Sequence, residues 1–419
     1  LSGGGLKYDL ALLHDIERQP AASVIAGAEA DARVVDRGEL IMDRCLRLLS
    51  AVCPLSSRVM LVTHGTILDV LGAGGEGGLE DVALADEDAG DSLGGVEGRV
   101  GGVRREAECG LWSAALLGMV RSAQREYSRV QMTMIDVGEL STGGNADAAA
   151  TAAAAATATA TATAEAVWAE LAHSDGEPEV AYRAGQRWVK RYRVLDDAIT
   201  QAGDTSPSRT HVPRVGDGAY IITGGLGALG LLTAKVLVQA GARRLVLLSR
   251  SGRVSFEGQG LERELEWLMS QEGVDVQLMR CDVSDEASLG RSLLEARASG
   301  PIHGVVHAAG VAQNGLMKSG EALQGLSAVW SAKARSAWLL HNLTREDPLR
   351  TFITFSSIAS VTGGAGQTAY GAANAYMDAL MSFRSRQGLA GSSIQWPAVS
   401  DMGMAATLVA SGYMGDDMV

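Results

Sequence analysis

Proline and cysteine are both scarce in this chain. Eight prolines in 419 residues, against 52 glycines, allow many tight turns but leave no proline-rich spacer. The four cysteines (Cys45, Cys53, Cys109 and Cys281) form no CxxC pair and have no histidine at a zinc-holding spacing, so no metal site is expected. They read as buried free thiols of a reducing compartment, which makes the cytoplasm the expected location. No apolar run reaches the ~18 to 20 residues needed to cross a bilayer, so a soluble chain without a membrane span is expected. Basic charge is also short. The net charge of −13 argues against a nucleic-acid partner, which would call for a basic face. The first residue is Leu1 rather than Met, which reads as a piece of something longer with no signal or transit peptide to recognise.

What is present is an ordinary globular balance, 47% apolar and 20% charged, at a length that suits roughly two to three domains. The charge is uneven. Residues 1–200 hold 18 Lys+Arg against 30 Asp+Glu, whereas residues 201–419 hold 18 against 19. The second half keeps its cations nearly balanced, which suits a site that takes an anion.

From residue 219 onward the pattern is regular. Strands are expected at Ala219–Thr223, Leu245–Leu248, Val274–Met279, Ile302–Val306, Thr351–Phe355 and Ser392–Trp396. Helices are expected from the glycine loop to Leu237, at Leu261–Met269, Leu326–Leu343 and Thr368–Arg384. Strands alternating with helices imply an α/β fold with a doubly wound parallel sheet. The first 200 residues are less clean. Val59–Val62, Val130–Asp136 and Glu179–Tyr182 read as strands, and Cys109–Ser122 and Glu165–Ala172 as helices. Two low-complexity insertions interrupt them: a Gly/Asp/Glu-rich solvated loop at 72–102 and an Ala/Thr-rich mobile linker at 142–164. The division expected is therefore 1–200, a linker at 201–214 with two prolines, and 215–419.

The strongest local signal is the run from Tyr220 to Gly230, which places GxGxxG at Gly225, Gly227 and Gly230 between a strand and a helix. Glycines there tighten the turn and let the backbone approach a pyrophosphate, whose charge the helix N-terminus favours. A bare glycine loop joins many strands to helices, but this order suits a dinucleotide. At the end of the next strand, Ser249-Arg250 offers a cation for the 2′-phosphate of NADPH, where NAD binders carry an acidic residue. Asp282 either accepts from an adenine amine or caps the helix starting near Asp285. The small residues of His307-Ala308-Ala309-Gly310 either pass close to a cofactor ribose or pack strand on helix; His307 alone reads as a core histidine.

The deciding constellation is Ser357, Tyr370 and Asn374, with Lys333 upstream. Ser357 follows the fifth strand, where doubly wound sheets place ligands. Tyr370 and Asn374 are four apart and share a helical face. A phenol of pKa ~10 becomes a better proton donor if a nearby ammonium lowers it, and Lys333 is the expected ammonium. A serine hydroxyl can hold a carbonyl oxygen in place.

At these residues the sequence resembles the ketoreductase domain of modular polyketide synthases, a branch of the short-chain dehydrogenase/reductase superfamily. The matching text includes TGGLGALG (223–230), LLSRSG (247–252), CDVSD (281–285), HAAGV (307–311), SAKARSAWLLHNLT (331–344) and FSSIASVTGGAGQTAYGAANAYMDAL (355–380). Lysine upstream with asparagine four after the tyrosine is similar to the swapped arrangement of the polyketide and fatty-acid synthase branch. The first half resembles the degenerate Rossmann-like, structural subdomain of such domains through VMLVTHGT (59–66), GLWSAALLGMVRSAQREY (110–127) and EPEVAYRAGQRWVKRYR (177–193).

The resemblance implies NADPH-dependent reduction of a β-ketoacyl thioester, delivered on the phosphopantetheine arm of an acyl carrier protein beside other synthase domains. Tyr370 would be the proton donor, Ser357 would orient the carbonyl oxygen, Lys333 would tune Tyr370, and Asn374 would position Lys333 or a water. The cofactor would lie along Thr223, Gly224, Gly225, Leu226, Gly227, Leu229 and Gly230. It would then run by Ser249 and Arg250, by Cys281, Asp282 and Val283, and by His307, Ala308, Ala309 and Gly310. A reductase of free small carbonyl compounds and a non-catalytic scaffold module are the alternatives. Three departures stand out. Ala312-Gln313-Asn314 replaces the Leu-Asp-Asp of one stereochemical class, and Thr362 replaces the tryptophan of the other. Pro397 stands where the family has glycine after Trp396. The chain also ends at Val419, short of the expected lid helix and last strand, so a truncated C-terminus is expected.

Overall fold

A computed structural model describes residues 9–10, 39, 41–51, 53, 58–64, 96–138, 161–172, 175–183, 185–192, 215, 217–255, 258–311, 313–399, 402–404 and 406. The proposed linker at 201–214 and most of the two insertions fall outside this set, as do residues 407–419.

In chain order the described elements begin with β1 (Asp9–Leu10), α1 (41–51), β2 (Arg58–His64), α2 (Val96–Glu126), β3 (Gln131–Val137), α3 (161–172), β4 (Glu179–Arg183) and β5 (Gln186–Val189). The strands form one sheet in the order β1-β2-β3-β4-β5, parallel except for the β4–β5 hairpin. Two expectations fail here. Residues 96–102, read as part of a solvated loop, are helical. Extending a helix already nucleated needs only one residue fixed per new hydrogen bond, so the packed stretch after Gly110 carries the helix back through Gly98, Gly101 and Gly102. Residues 161–164, read as linker, are helical and belong to α3, because alanine is the best helix former and Ala166 and Val167 anchor the helix on Met60, Val62 and Ile135.

The second half continues with β6 (Ala219–Thr223), α4 (Ala228–Gln239), β7 (Arg244–Ser249), α5 (Leu261–Met269), β8 (Asp275–Arg280), α6 (Glu286–Ala298) and β9 (Ile302–His307). There follow α7 (Glu321–Trp330), α8 (Ser336–Leu343), β10 (Thr351–Ser357), α9 (Ala359–Thr362), α10 (Thr368–Arg386) and β11 (Ser392–Trp396). The sheet order is β11-β10-β9-β6-β7-β8, all parallel. This is the doubly wound order with its reversal between β6 and β9, the point where such sheets open a crevice. The long helix expected at Leu326–Leu343 starts earlier, at Glu321, and is broken by a π-turn over Ser331–Arg335. Such single π-turns mark functional positions, and Lys333 lies in this one.

The halves share a core. Trp112 of α2, Trp330 of α7 and Tyr376 of α10 form a ring cluster with centroids 5.3–6.1 Å apart. Each such pair is worth about 0.5–1.5 kcal/mol beyond its buried area. The crossing of α2 and α10 depends on two glycines: a Cβ on Gly118 would lie 2.2 Å from the Gly371 carbonyl oxygen. Helix α10, which carries Tyr370, therefore rests directly on the first half.

Candidate active site

The turn after β6 is shaped for close backbone approach. Gly224 has φ +62°, and a Cβ there would lie 2.8 Å from Ala309 Cα. A Cβ on Gly230 would lie 2.3 Å from the Gly224 carbonyl oxygen, and one on Gly225 2.8 Å from that of Ile222. Gly227 caps α4 in extended conformation with no side-chain hydrogen bond, so the first N–H groups keep their partial positive charge for an anion. Leu226 is buried and its carbonyl accepts from the Ser255 amide at 3.0 Å, whereas Leu229 is partly exposed. Gly403 packs over the start of α4, 3.2 Å from Ala228 if it bore a Cβ.

Along the sheet edge, Ser249 Oγ accepts from the Gly252 amide at 2.9 Å and shapes the loop on which Arg250 stands exposed. Cys281 and Val283 are buried. Asp282 is exposed and does not cap α6; its Oδ1 accepts from the amide and hydroxyl of Ser284, and Asp285 caps the helix through the Ser288 amide. Among the described residues, Cys45, Cys53 and Cys281 are free buried thiols, and no cluster suited to a metal is found. Burial pushes the Cys45 thiol up to about 12.

His307 departs from its expected place along the cofactor. It is fully enclosed, with Nδ1 2.7 Å from Thr223 Oγ1 and Nε2 3.0 Å from the Lys333 carbonyl oxygen. Both ring nitrogens are spent, so the side chain braces the Lys333 turn instead of reaching a ligand. Burial, with the Lys333 charge adding to it, lowers its pKa to about 3 and keeps it neutral. Thr223 is equally enclosed, its hydroxyl also accepting from the Ala309 amide at 3.2 Å.

The four proposed catalytic residues converge. Lys333 Nζ donates to the Phe355 carbonyl oxygen and to Asn374 Oδ1, each at 3.0 Å, and stands 5.1 Å from the centre of the Tyr370 ring. Gly310 gives the lysine stem room, since a Cβ there would come within 3.0 Å of its Cε. Asn374 Nδ2 donates to the Tyr370 carbonyl oxygen at 2.8 Å, which fixes the amide so that its oxygen faces Lys333. Ser357, at the end of β10, accepts from the Ala359 amide at 3.2 Å.

The electrostatics correct one expectation. Burial raises the Tyr370 phenol above its ordinary range, and hydrogen bonding to Asn374 and Ser357 pulls it part of the way back. The Lys333 ammonium is hydrogen-bonded to an amide and a carbonyl, 5.1 Å from the centre of the Tyr370 ring. A raised phenol stays protonated at neutral pH, which is the state a proton donor needs. Lys333 is lowered to about 8 by burial, against a supporting charge from Asp378.

Two residues escaped the sequence reading. Asp378, one turn beyond Asn374 on α10, accepts from Ser360 Oγ, Ser393 Oγ and Gln395 Nε2 at 2.5–3.0 Å. Its spacing of four from Asn374 was the available signal. Glu126 reaches this region from the first half, and nothing in the linear text shows that contact.

Residues 218–401 match the family model described as KR domain. The chain is 36% identical over 329 residues, 78% of its length, to "Polyketide synthase GfsB" of Streptomyces halstedii. It is 34% identical over 295 residues, 70% of its length, to "Naringenin synthase" of Pestalotiopsis fici. It spans only 5% and 10% of these two relatives. Among solved structures, an A1-type ketoreductase aligns over 89% of this chain and 66% of its own, with 28% identity and a TM-score of 0.63. A ketoreductase domain from the bacillaene assembly line aligns over 94% of this chain and 79% of its own, at 23% identity and a TM-score of 0.60, and it supports the fold. A KR domain implies a nicotinamide cofactor, and the glycine cradle and open α4 N-terminus fit one. The doubly wound sheet, the convergence of Lys333, Ser357, Tyr370 and Asn374, and these relatives together identify the chain as belonging to the ketoreductase domains of polyketide synthases, within the short-chain dehydrogenase/reductase superfamily.

Proposed function

We propose that this chain reduces a β-ketoacyl thioester, presented on the phosphopantetheine arm of an acyl carrier protein, to the β-hydroxyacyl thioester with NADPH. The observation that carries this reading is the Lys333–Asn374 hydrogen bond beneath Tyr370, with Ser357 beside them at the crevice end of β10. Gly224, Gly225, Gly227 and Gly230 would hold the pyrophosphate, and the exposed Arg250 the 2′-phosphate. NADPH, when bound, supplies the hydride that adds to the ketone carbon.

The chain's own groups handle the oxygen. Ser357 Oγ–H hydrogen-bonds the carbonyl oxygen and holds it against Tyr370. As the carbon–oxygen π bond breaks, Tyr370 Oη passes its proton to that oxygen, which leaves a phenolate. The neighbouring Lys333 ammonium stabilises this phenolate, and Asn374 keeps Lys333 in place until solvent returns the proton. The first half carries no second site in this proposal; its sheet and α2 support α10 from below.

The test compares a carrier-bound or pantetheine thioester with a free ketone while NADPH consumption is followed. Faster turnover of the thioester, together with saturable NADPH binding, is the expected result. Preference for the free ketone would instead fit a general carbonyl reductase, and no saturable binding would fit a scaffold.

A further inference from the structure

We infer that Glu126, supplied by the first half, is a positioning residue for the reduction, because its carboxylate ties together the two loops that border the reaction crevice. One loop follows β9 and the other follows β10 through the short helix α9, so both leave the C-terminal edge of the sheet, where ligands sit. Glu126 Oε2 accepts from the Met317 amide at 2.8 Å, in the first loop. Glu126 Oε1 accepts from the Gly366 amide at 3.1 Å and the Thr368 hydroxyl at 3.3 Å, in the second loop and the first residue of α10. The inference rests on the ketoreductase reading.

Three features mark this as more than packing. Glu126 is the last residue of α2, where a helix end disfavours an anion, yet it lies just ahead of α10, where a helix start favours one. Gln367 gives α10 no side-chain cap, so the charge at its N-terminal end comes from another part of the fold. The carboxylate is also buried, and burying a charge is costly unless several donors satisfy it, as three do here.

The neighbours reinforce the tie. One turn earlier on α2, the enclosed Ser122 Oγ donates to the Gln367 carbonyl oxygen at 3.3 Å and accepts from the Gly364 amide at 3.4 Å. One residue later, the Tyr127 ring lies under Lys318 Nζ at 4.9 Å. The two loops also touch, through the Gly315 amide and the Gly366 carbonyl oxygen at 2.9 Å. Tyr370 is only two residues beyond Thr368, so any slackening at the clamp moves the phenol relative to Ser357. The clamp thus fixes the two loops relative to each other and to the start of the helix that carries Tyr370.

The experiment uses the full chain with Glu126→Gln, which keeps the shape but turns one oxygen into a donor facing a donor. NADPH affinity, melting temperature, kcat, KM and the ratio of product stereoisomers would be measured with a β-ketoacyl pantetheine thioester. The expected result is NADPH affinity within about twofold of the parent, kcat down about tenfold, and a minor stereoisomer at least about fivefold enriched. If Glu126→Gln fails to fold, Thr368→Ala removes one partner of the same carboxylate and should shift the same ratio, with Thr368→Ser restoring it. Unchanged kcat and stereoisomer ratio in folded variants, or activity lost only in proportion to folded protein, would overturn the clamp. A wild-type chain that consumed no NADPH with the thioester would count against the ketoreductase reading and the clamp together, whereas indifferent variants of an active wild type count against the clamp alone.

Discussion

Thr63 and Asp136 face each other at the C-terminal ends of β2 and β3, and Thr223 and His307 face each other at the same place on β6 and β9. Both pairs are buried and joined by a 2.7 Å hydrogen bond. In the first sheet Arg183 of β4 closes over the pair, with ion-pair contact to the Asp136 carboxylate and a hydrogen bond to its carbonyl. In the second sheet the outer nitrogen of His307 supports the π-turn that carries Lys333. The same layering therefore ends in a charge pair covered by Arg183 on one side and in the turn that holds the buried Lys333 on the other. In the proposed reading, what separates a supporting sheet from a reacting one is the chemistry placed at the strand ends, not the architecture.

That contrast can be broken most decisively at Tyr370. Tyr370→Phe should lower kcat about 10²- to 10⁴-fold, the usual contribution of a positioned acid, while denaturant unfolding stays near the parent curve. Full turnover in this variant would remove the proposed donor. The converse change is Arg183→Ala, which takes the cation from the buried Asp136 carboxylate. A loss of about 3 kcal/mol in urea unfolding is expected, with NADPH affinity per folded molecule unchanged. An equal loss of cofactor affinity would mean the first sheet does more than support.

Gly230→Ala sharpens the picture at the cofactor turn. Its Cβ would meet the Gly224 carbonyl oxygen at 2.3 Å, so the turn must open and NADPH should bind about tenfold more weakly by fluorescence titration. Lys333 supplies the pH test. Its folded pKa of about 8 lies below the ordinary ~10.4, so between these values the unfolded chain holds a proton that the folded chain has lost. Stability should therefore rise with pH across that window, and Lys333→Met should flatten the slope. The kcat/KM profile should meanwhile fall to about half its plateau near pH 8 as the ammonium is lost. The smallest effect is expected at Arg250→Ala, where the preference for NADPH over NADH should shrink about fivefold, since the residue is exposed and screened by water.

The second sheet was largely readable as text. Ala219–Thr223, Leu261–Met269 and Ser392–Trp396 fall where periodicity places them, because each is a complete apolar or amphipathic run between turn residues. The first half was harder. Val96–Glu126 begins within a glycine- and charge-rich stretch, and local composition cannot report a helix sustained by packing farther along. The bending of the long helix at Lys333 was equally hidden, since SAKAR contains no glycine or proline to announce a π-turn.

Residue identity and spacing alone determined the glycine turn, the alternation of strands and helices, and the shared helical face of Tyr370 and Asn374, since these follow from short-range geometry; that Lys333 and Ser357 join them was implied by the family resemblance. Only the tertiary structure decided that His307 is a brace, that the Tyr370 phenol is raised by burial, and that Glu126 joins the two crevice loops. Those are consequences of which atoms lose water and meet partners 26 to 240 positions away. Desolvation and long-range hydrogen bonding have no signature in a linear text, whereas backbone periodicity does.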